Sequence, residues 1–150
     1  VEHACRIRDE LCLFYCFDTL FYRDKGGRAF KAKAWAEAEA QSGTGFRALA
    51  RVDSSTDGIV RPVCRAKGKR QLFRKMVETA KERLDGRPLA GAMVHVNALE
   101  EVGVLQQMLA DELSCDSLLV SHASAASTIH SGEGFIAFGF HPSPQRSAST

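Results

Sequence analysis

Two glycine-centred segments, Asp24-Lys25-Gly26-Gly27-Arg28 and His130-Ser131-Gly132-Glu133-Gly134, each set a charged or titratable side chain beside flexible backbone. Glycine lets the main chain approach a ligand closely and take up conformations closed to other residues. Gly26 and Gly27 precede Ala29 to Gln41, a run of strong helix formers that stops before Gly43 and Gly45, so they stand at a helix start whose unpaired amides favour anions. Arg28 sits in that first turn, where the helix dipole mildly disfavours a cation, and this argues for an external anionic partner. In the second segment the His130 imidazole can donate to a carboxylate, and the apolar run Phe135 to Phe140 directly after it implies a rigid support. Glu133 is either a partner for His130 or a solvated loop residue. Both segments have the look of binding sites more than of fold connectors.

Other candidates carry weaker signals. His95, in an apolar run, reads as a core or edge histidine satisfied by a neighbour, while His3 and His141 are terminal and uninformative. The spacing of Asp116, His122 and His130 matches no standard metal cluster, so no metal site is expected. A serine nucleophile, Ser124, Ser127 or Ser131 with His130 as base, lacks the G-x-S-x-G elbow and an acid placed by any motif. The five cysteines, Cys5, Cys12, Cys16, Cys64 and Cys115, form no close metal-type pairing. Cys5 and Cys12 share one helical face, so the cysteines read as reduced thiols serving as small buried apolar residues.

These residues need elements to position them. Residues 1 to 13 read as the end of a helix and Phe14 to Phe17 as a strand. Phe46 to Val52 and Ile59 to Cys64 flank the turn-forming run Asp53 to Gly58, a hairpin pattern. Leu72, Phe73, Met76, Val77, Ala80 and Leu84 recur at helical spacing before Gly86 and Pro88. A buried strand over Ala90 to Val96 follows, then an amphipathic helix marked by Leu99, Val102, Leu105, Leu109 and Leu113. Strands over Ser117 to Val120 and from about Gly134 to Phe140 complete the pattern, with a disordered tail expected over 141–150. The alternation predicts an α/β fold, a two-layer sandwich with a mixed sheet, as one domain over 1–140.

Composition sets the bounds. At 150 residues, 45% hydrophobic and 25% charged, the chain can bury one ordinary core. No run approaches the ~20 apolar residues of a membrane-spanning helix, and Val1 opens inside an amphipathic pattern with no signal-type segment. The expectation is a soluble chain that continues upstream. Net charge is only +2, yet Arg61, Arg65, Lys67, Lys69, Arg70, Arg74 and Lys75 run without an intervening acid. That run is a solvated helix face, a dock for an acidic protein, or a nucleic-acid surface; the lack of interleaved aromatics argues against the last.

With these segments placed, the chain resembles the C-terminal part of the DegV family, the fatty-acid-binding subunits of bacterial fatty acid kinase. The resemblance rests on Phe17-Asp18-Thr19-Leu20 running into Lys25-Gly26-Gly27-Arg28 with Trp35 beyond, and on Gly58 to Arg65 with Pro62 and Val63. It rests equally on His95-Val96-Asn97-Ala98 before Glu100-Glu101, and on His130 to Gly134. Four motifs in the right order carry it, over nearly everything up to Phe140. Departures are Glu133 in place of a proline, Thr128 where a glycine is common, and Arg47-Ala48 in place of Lys-Pro.

The resemblance implies a cytoplasmic, non-catalytic subunit, without cofactor, that buries a long-chain fatty acid and presents its carboxylate to a separate ATP-dependent kinase, feeding phospholipid metabolism. It implies that His130, with Gly132 and Gly134, holds the carboxylate, and that Gly26, Gly27, Arg28 and Arg65 face the partner or the phosphate. The family's N-terminal domain, which completes the clamp, has no counterpart in the chain, so an incomplete ligand site is expected. The rival readings are a basic module binding RNA or an acidic protein and, more weakly, the serine acyl hydrolase.

Overall fold

A computed structural model describes residues 2–19 and 46–144. Helix α1 (Glu2–Glu10) leads into β1 (Cys12–Phe17), and β2 (Arg47–Asp53) and β3 (Arg61–Ala66) form a hairpin around a single 3-10 turn, Ser54–Thr56. Then follow α2 (Lys69–Leu84), β4 (Leu89–His95), α3 (Leu99–Glu112), β5 (Cys115–His122), α4 (Ala125–Ser131) and β6 (Ile136–Pro142). The six strands make one mixed sheet in the order β3-β2-β1-β6-β4-β5, with β4 and β5 parallel and the other pairs antiparallel. The α/β reading of the sequence holds.

Strand periodicity divides the sheet into two faces. Cys12, Phe14 and Cys16 of β1 and Ile136, Phe138 and Phe140 of β6 point to one side, where Leu72, Phe73, Met76 and Leu84 of α2 and Val102, Leu105 and Leu109 of α3 close the main core. Each such side chain contributes about 1.5–3 kcal/mol by leaving water, which outweighs the missing side-chain caps at Gly68 and Ala98. Helix α2 ends where Asp85 (φ 48°) and Gly86 (φ 78°) turn left-handed. The hairpin turn is fixed by a capping box in which the Asp53 carboxylate accepts from the Ser55 amide and Thr56 Oγ1 accepts from the Asp53 amide.

The other face carries three rows in register: Ala48 and Phe17; Ala50, Tyr15, Ala137 and Val94; Val52, Leu13, Gly139 and Ala92. Small residues on β2, β4 and β6 flank Leu13 and Tyr15 of β1, so the floor is low and apolar.

Several boundaries differ from expectation. Helix α1 stops at Glu10, because Cys12 belongs to the alternating, fully buried face of β1; the pairing of Cys5 and Cys12 on one helical face therefore fails, and Cys5 is exposed. Strand β6 runs through His141 and Pro142, past the expected boundary at 140, since it pairs with β4 as far as Leu89; residues 145–150 of the expected tail lie outside the described residues. Helix α4 has no counterpart in the sequence reading. It is short and mostly exposed, with Ile129 at 69%, so it never writes an apolar stripe.

Candidate functional site

Strands β1, β3, β4 and β5 finish at one end of the sheet, and β2 and β6 begin there. The N-termini of α2 and α3 lie at the same end, as do Thr19 and Phe46. In α/β sheets the carboxyl ends of parallel strands form the usual ligand crevice.

The end of β4 organises this region. The Val96 amide donates to Phe135 O (3.0 Å) and the Gly134 amide to Val96 O (2.9 Å), so the turn after α4 is clamped to the strand; Ala123 N donates to His95 O (2.8 Å), tying in β5. Asn97 turns left-handed (φ 48°), and the Ala98 amide donates to His95 Nδ1 (3.3 Å). Burial pushes the His95 pKa below its ordinary value, the neighbouring His122 ring adds to the effect, and Glu101 opposes it. The His95 and His122 rings are tilted at 52° with centres 4.4 Å apart. His95 is thus a buried, satisfied core histidine beside the site.

The expected site residues fall into three groups. His130 is in the last turn of α4, half-buried, rather than in a glycine turn. Gly132 caps that helix with φ +77°, its amide donating to Thr128 O (2.9 Å). Gly134, at φ +76°, lies against Asp18: a Cβ here would meet Asp18 Cγ at 2.6 Å. The amides of both glycines are engaged within the protein, so what they provide is backbone shape and close approach. Glu133 is exposed. Arg65 pairs with Ala48 at the edge of the open face, its guanidinium 5.1 Å from the Phe46 ring centre. Gly26, Gly27 and Arg28 lie outside the described residues, as does Trp35.

Beneath the turn is an ion network that no sequence motif announces, because its members come from four elements. Asp18 Oδ1 accepts from Arg47 Nε (2.9 Å) and Asp18 Oδ2 lies 3.2 Å from Lys69 Nζ, which reaches Glu101 Oε1 at 3.0 Å. Lys69 is only 8% exposed, so its charge depends on these two carboxylates. Burial raises the Glu101 pKa, but hydrogen bonding and charge from Lys69 outweigh it and hold the group below the usual carboxylate value. Cys16 lies beneath, its thiol pushed up to about 12 by burial and thus unreactive.

From this end a cleft of about 530 Å3 opens along the uncovered face, walled by Tyr15, Phe135, Val94 and Leu13, with His130, Ser127 and Ser131 of α4 along its rim. The rings of Tyr15, Phe17 and Phe135 pack at 5.2–6.2 Å between centres. The Ser124 hydroxyl accepts the Ser127 amide as the α4 cap and lies 3.1 Å from Ser127 Oγ. Among the described residues no serine is hydrogen-bonded to His130, and no three His, Cys, Asp or Glu side chains are grouped to hold a metal.

The cleft thus combines apolar walls with one half-buried imidazole, that of His130. The profile of the DegV family, described as uncharacterised proteins, matches residues 1–143, and the chain belongs to that family. A DegV domain-containing protein of Clostridium acetobutylicum is 26% identical over 139 residues, which cover 91% of this chain and 46% of that protein. A fatty-acid-binding DegV family protein from Thermus thermophilus superposes with a TM-score of 0.78 at 20% identity, covering 94% of this chain and 49% of that one. A DegV family protein from Eubacterium eligens, solved loaded with heptadecanoic acid, gives a TM-score of 0.78 at 16% identity over 94% and 49% of the two chains. The chain therefore spans about half the length of these relatives. Among the described residues no helix is long and apolar enough to cross a membrane.

Proposed function

We propose that this chain binds a long-chain fatty acid, with the acyl chain in the trough and the carboxylate at His130. The observation that carries this reading is a single cleft lined by Tyr15, Phe135 and Leu13 together with a half-buried imidazole. Aromatic and aliphatic walls take the methylenes, each worth about 0.8 kcal/mol on burial, and the imidazole supplies the polar contact that orients the ligand. The likeness to the Thermus and Eubacterium proteins supports the same ligand class. The protein acts as a cytoplasmic carrier rather than a catalyst, and a separate ATP-dependent kinase phosphorylates the bound acid to supply phospholipid metabolism. Arg65, with Gly26, Gly27 and Arg28, faces that partner or the acyl phosphate, for which arginine's planar fork is suited.

The test compares lipid binding with turnover. Oleate titration and mass spectrometry of retained lipid should show binding by the wild type and a loss of roughly 10- to 150-fold for His130→Ala, the equivalent of a charge-assisted hydrogen bond of about 1.5–3 kcal/mol. Arg28→Ala and Arg65→Ala should retain lipid but lose kinase-dependent acyl phosphate formation. Wild type that binds no fatty acid would overturn the reading, and equal loss of lipid and turnover would move the arginines into the lipid site.

A further inference from the structure

The cleft at His130 does not end the apolar trough. A second cavity, about 470 Å3, continues along the same face toward the hairpin turn, walled by Leu13, Val52, Leu11 and Gly58. Leu13 is the residue the two share. It lies in the row with Val52 on one side and Gly139 on the other. A Cβ at Gly139 would come to 3.3 Å from Leu13 Cδ1, so the leucine rests over bare glycine backbone and stands as a low bar across the trough.

Resting on the fatty-acid reading, we infer that Leu13 is a specificity-determining residue that sets the acyl length at which added methylenes stop contributing to binding. Charge fixes the direction of the ligand. In the far cavity the Arg8 cation is already paired with Asp9 at 2.8 Å and Asp57 adds a negative charge, so a carboxylate is disfavoured there, leaving it at His130 and the methyl end pointing toward Leu13. Up to the bar, each methylene leaves water for the walls of the first cleft. Beyond it, the chain must displace the Leu13 side chain before it gains the second cavity, so the increment per carbon falls.

The test is the affinity of the full chain for straight-chain saturated acids from octanoate to stearate. In the wild type, affinity should rise about fourfold per methylene and then break to a shallower slope. Leu13→Ala joins the two cavities and should move the break to longer acids, even where the lost wall contact weakens every member of the series. Gly139→Ala places a methyl beneath Leu13, lifts it into the trough, and should move the break to shorter acids. A break at the same length in all three proteins, each still binding the short acids, overturns the inference alone. Failure of the wild type to bind any member of the series overturns the fatty-acid reading and this one with it.

Discussion

Replacing Gly134 with alanine tests the architecture of the site at its tightest point. The glycine sits at φ +76°, and a Cβ there would meet Asp18 Cγ at 2.6 Å and Asp18 Cβ at 3.2 Å, so Asp18 must move. Holding a non-glycine residue in the left-handed region costs roughly 1–2 kcal/mol. Displacing Asp18 also leaves Lys69, 8% exposed, paired with Glu101 and deprived of its second carboxylate, a loss of about 1–3 kcal/mol. We predict a destabilisation of about 2–5 kcal/mol, read by thermal unfolding as a fall of roughly 5–15 °C for a chain of this size. Asp18→Ala removes the carboxylate and leaves only the 3.2 Å contact with the Cβ of residue 18, so Gly134→Ala in that background should cost little beyond the backbone strain of about 1–2 kcal/mol. The two changes should therefore be clearly non-additive. A single variant within about 0.5 kcal/mol of wild type, or strict additivity, would refute the close packing of the turn on Asp18.

Two further predictions concern charge. The folded His95 pKa is depressed below 6.5, so its neutral form is the native one: its contribution to stability is complete above 6.5 and is lost as pH falls toward the folded value. Urea midpoints should drop across that window in wild type and less so in His95→Asn, which keeps an acceptor for the Ala98 amide; parallel curves would exclude His95 as the source. Asp53 has a side chain with no exposure, 2.7 Å from Arg83 and 2.8 Å from Arg51. Burial raises its pKa, but hydrogen bonds from Ser55 and the two arginines hold it below the ordinary 3.8, so its stabilisation is present above that value and fades as pH falls through the folded one. Asp53→Asn should cost about 2–3 kcal/mol at neutral pH, below the range for a fully buried pair because both arginines are partly exposed, and should flatten the acid limb of stability. A neutral effect would show that the pair is dispensable.

The elements that could be read from sequence were those with strong periodicity. The stripe from Leu72 to Leu84 became α2, and the turn chemistry of Asp53 to Gly58 became the hairpin. Helix α4 could not be read that way, because it places mostly polar and small residues outward over a trough it only partly covers. The start of β1 shows the other limit. Cys12 and Leu13 look like a helical continuation until strand pairing with Asp53 and Val52 on one side and Phe140 and Gly139 on the other makes alternation the deciding pattern.

The site was partly readable for a related reason. His130, Gly132 and Gly134 announce themselves as a local cluster, and local clusters survive in sequence. Asp18, Arg47, Lys69 and Glu101 do not, since only the convergence of strand ends and helix starts links them in a chain of contacts, Arg47–Asp18–Lys69–Glu101, at 2.9–3.2 Å. Yet these four fix the geometry of the cluster that was visible: Asp18 anchors Lys69 at the start of α2, Glu101 does so from the start of α3, and the only backbone that fits over Asp18 is a glycine with positive φ. The glycine that reads as a ligand contact is thus first a packing solution, and its cost in chain entropy is offset by a turn that ties the chain after α4 to Val96 at the end of β4. A histidine carried on so short a helix has a defined position only because that turn is clamped at Val96 and seated on Asp18.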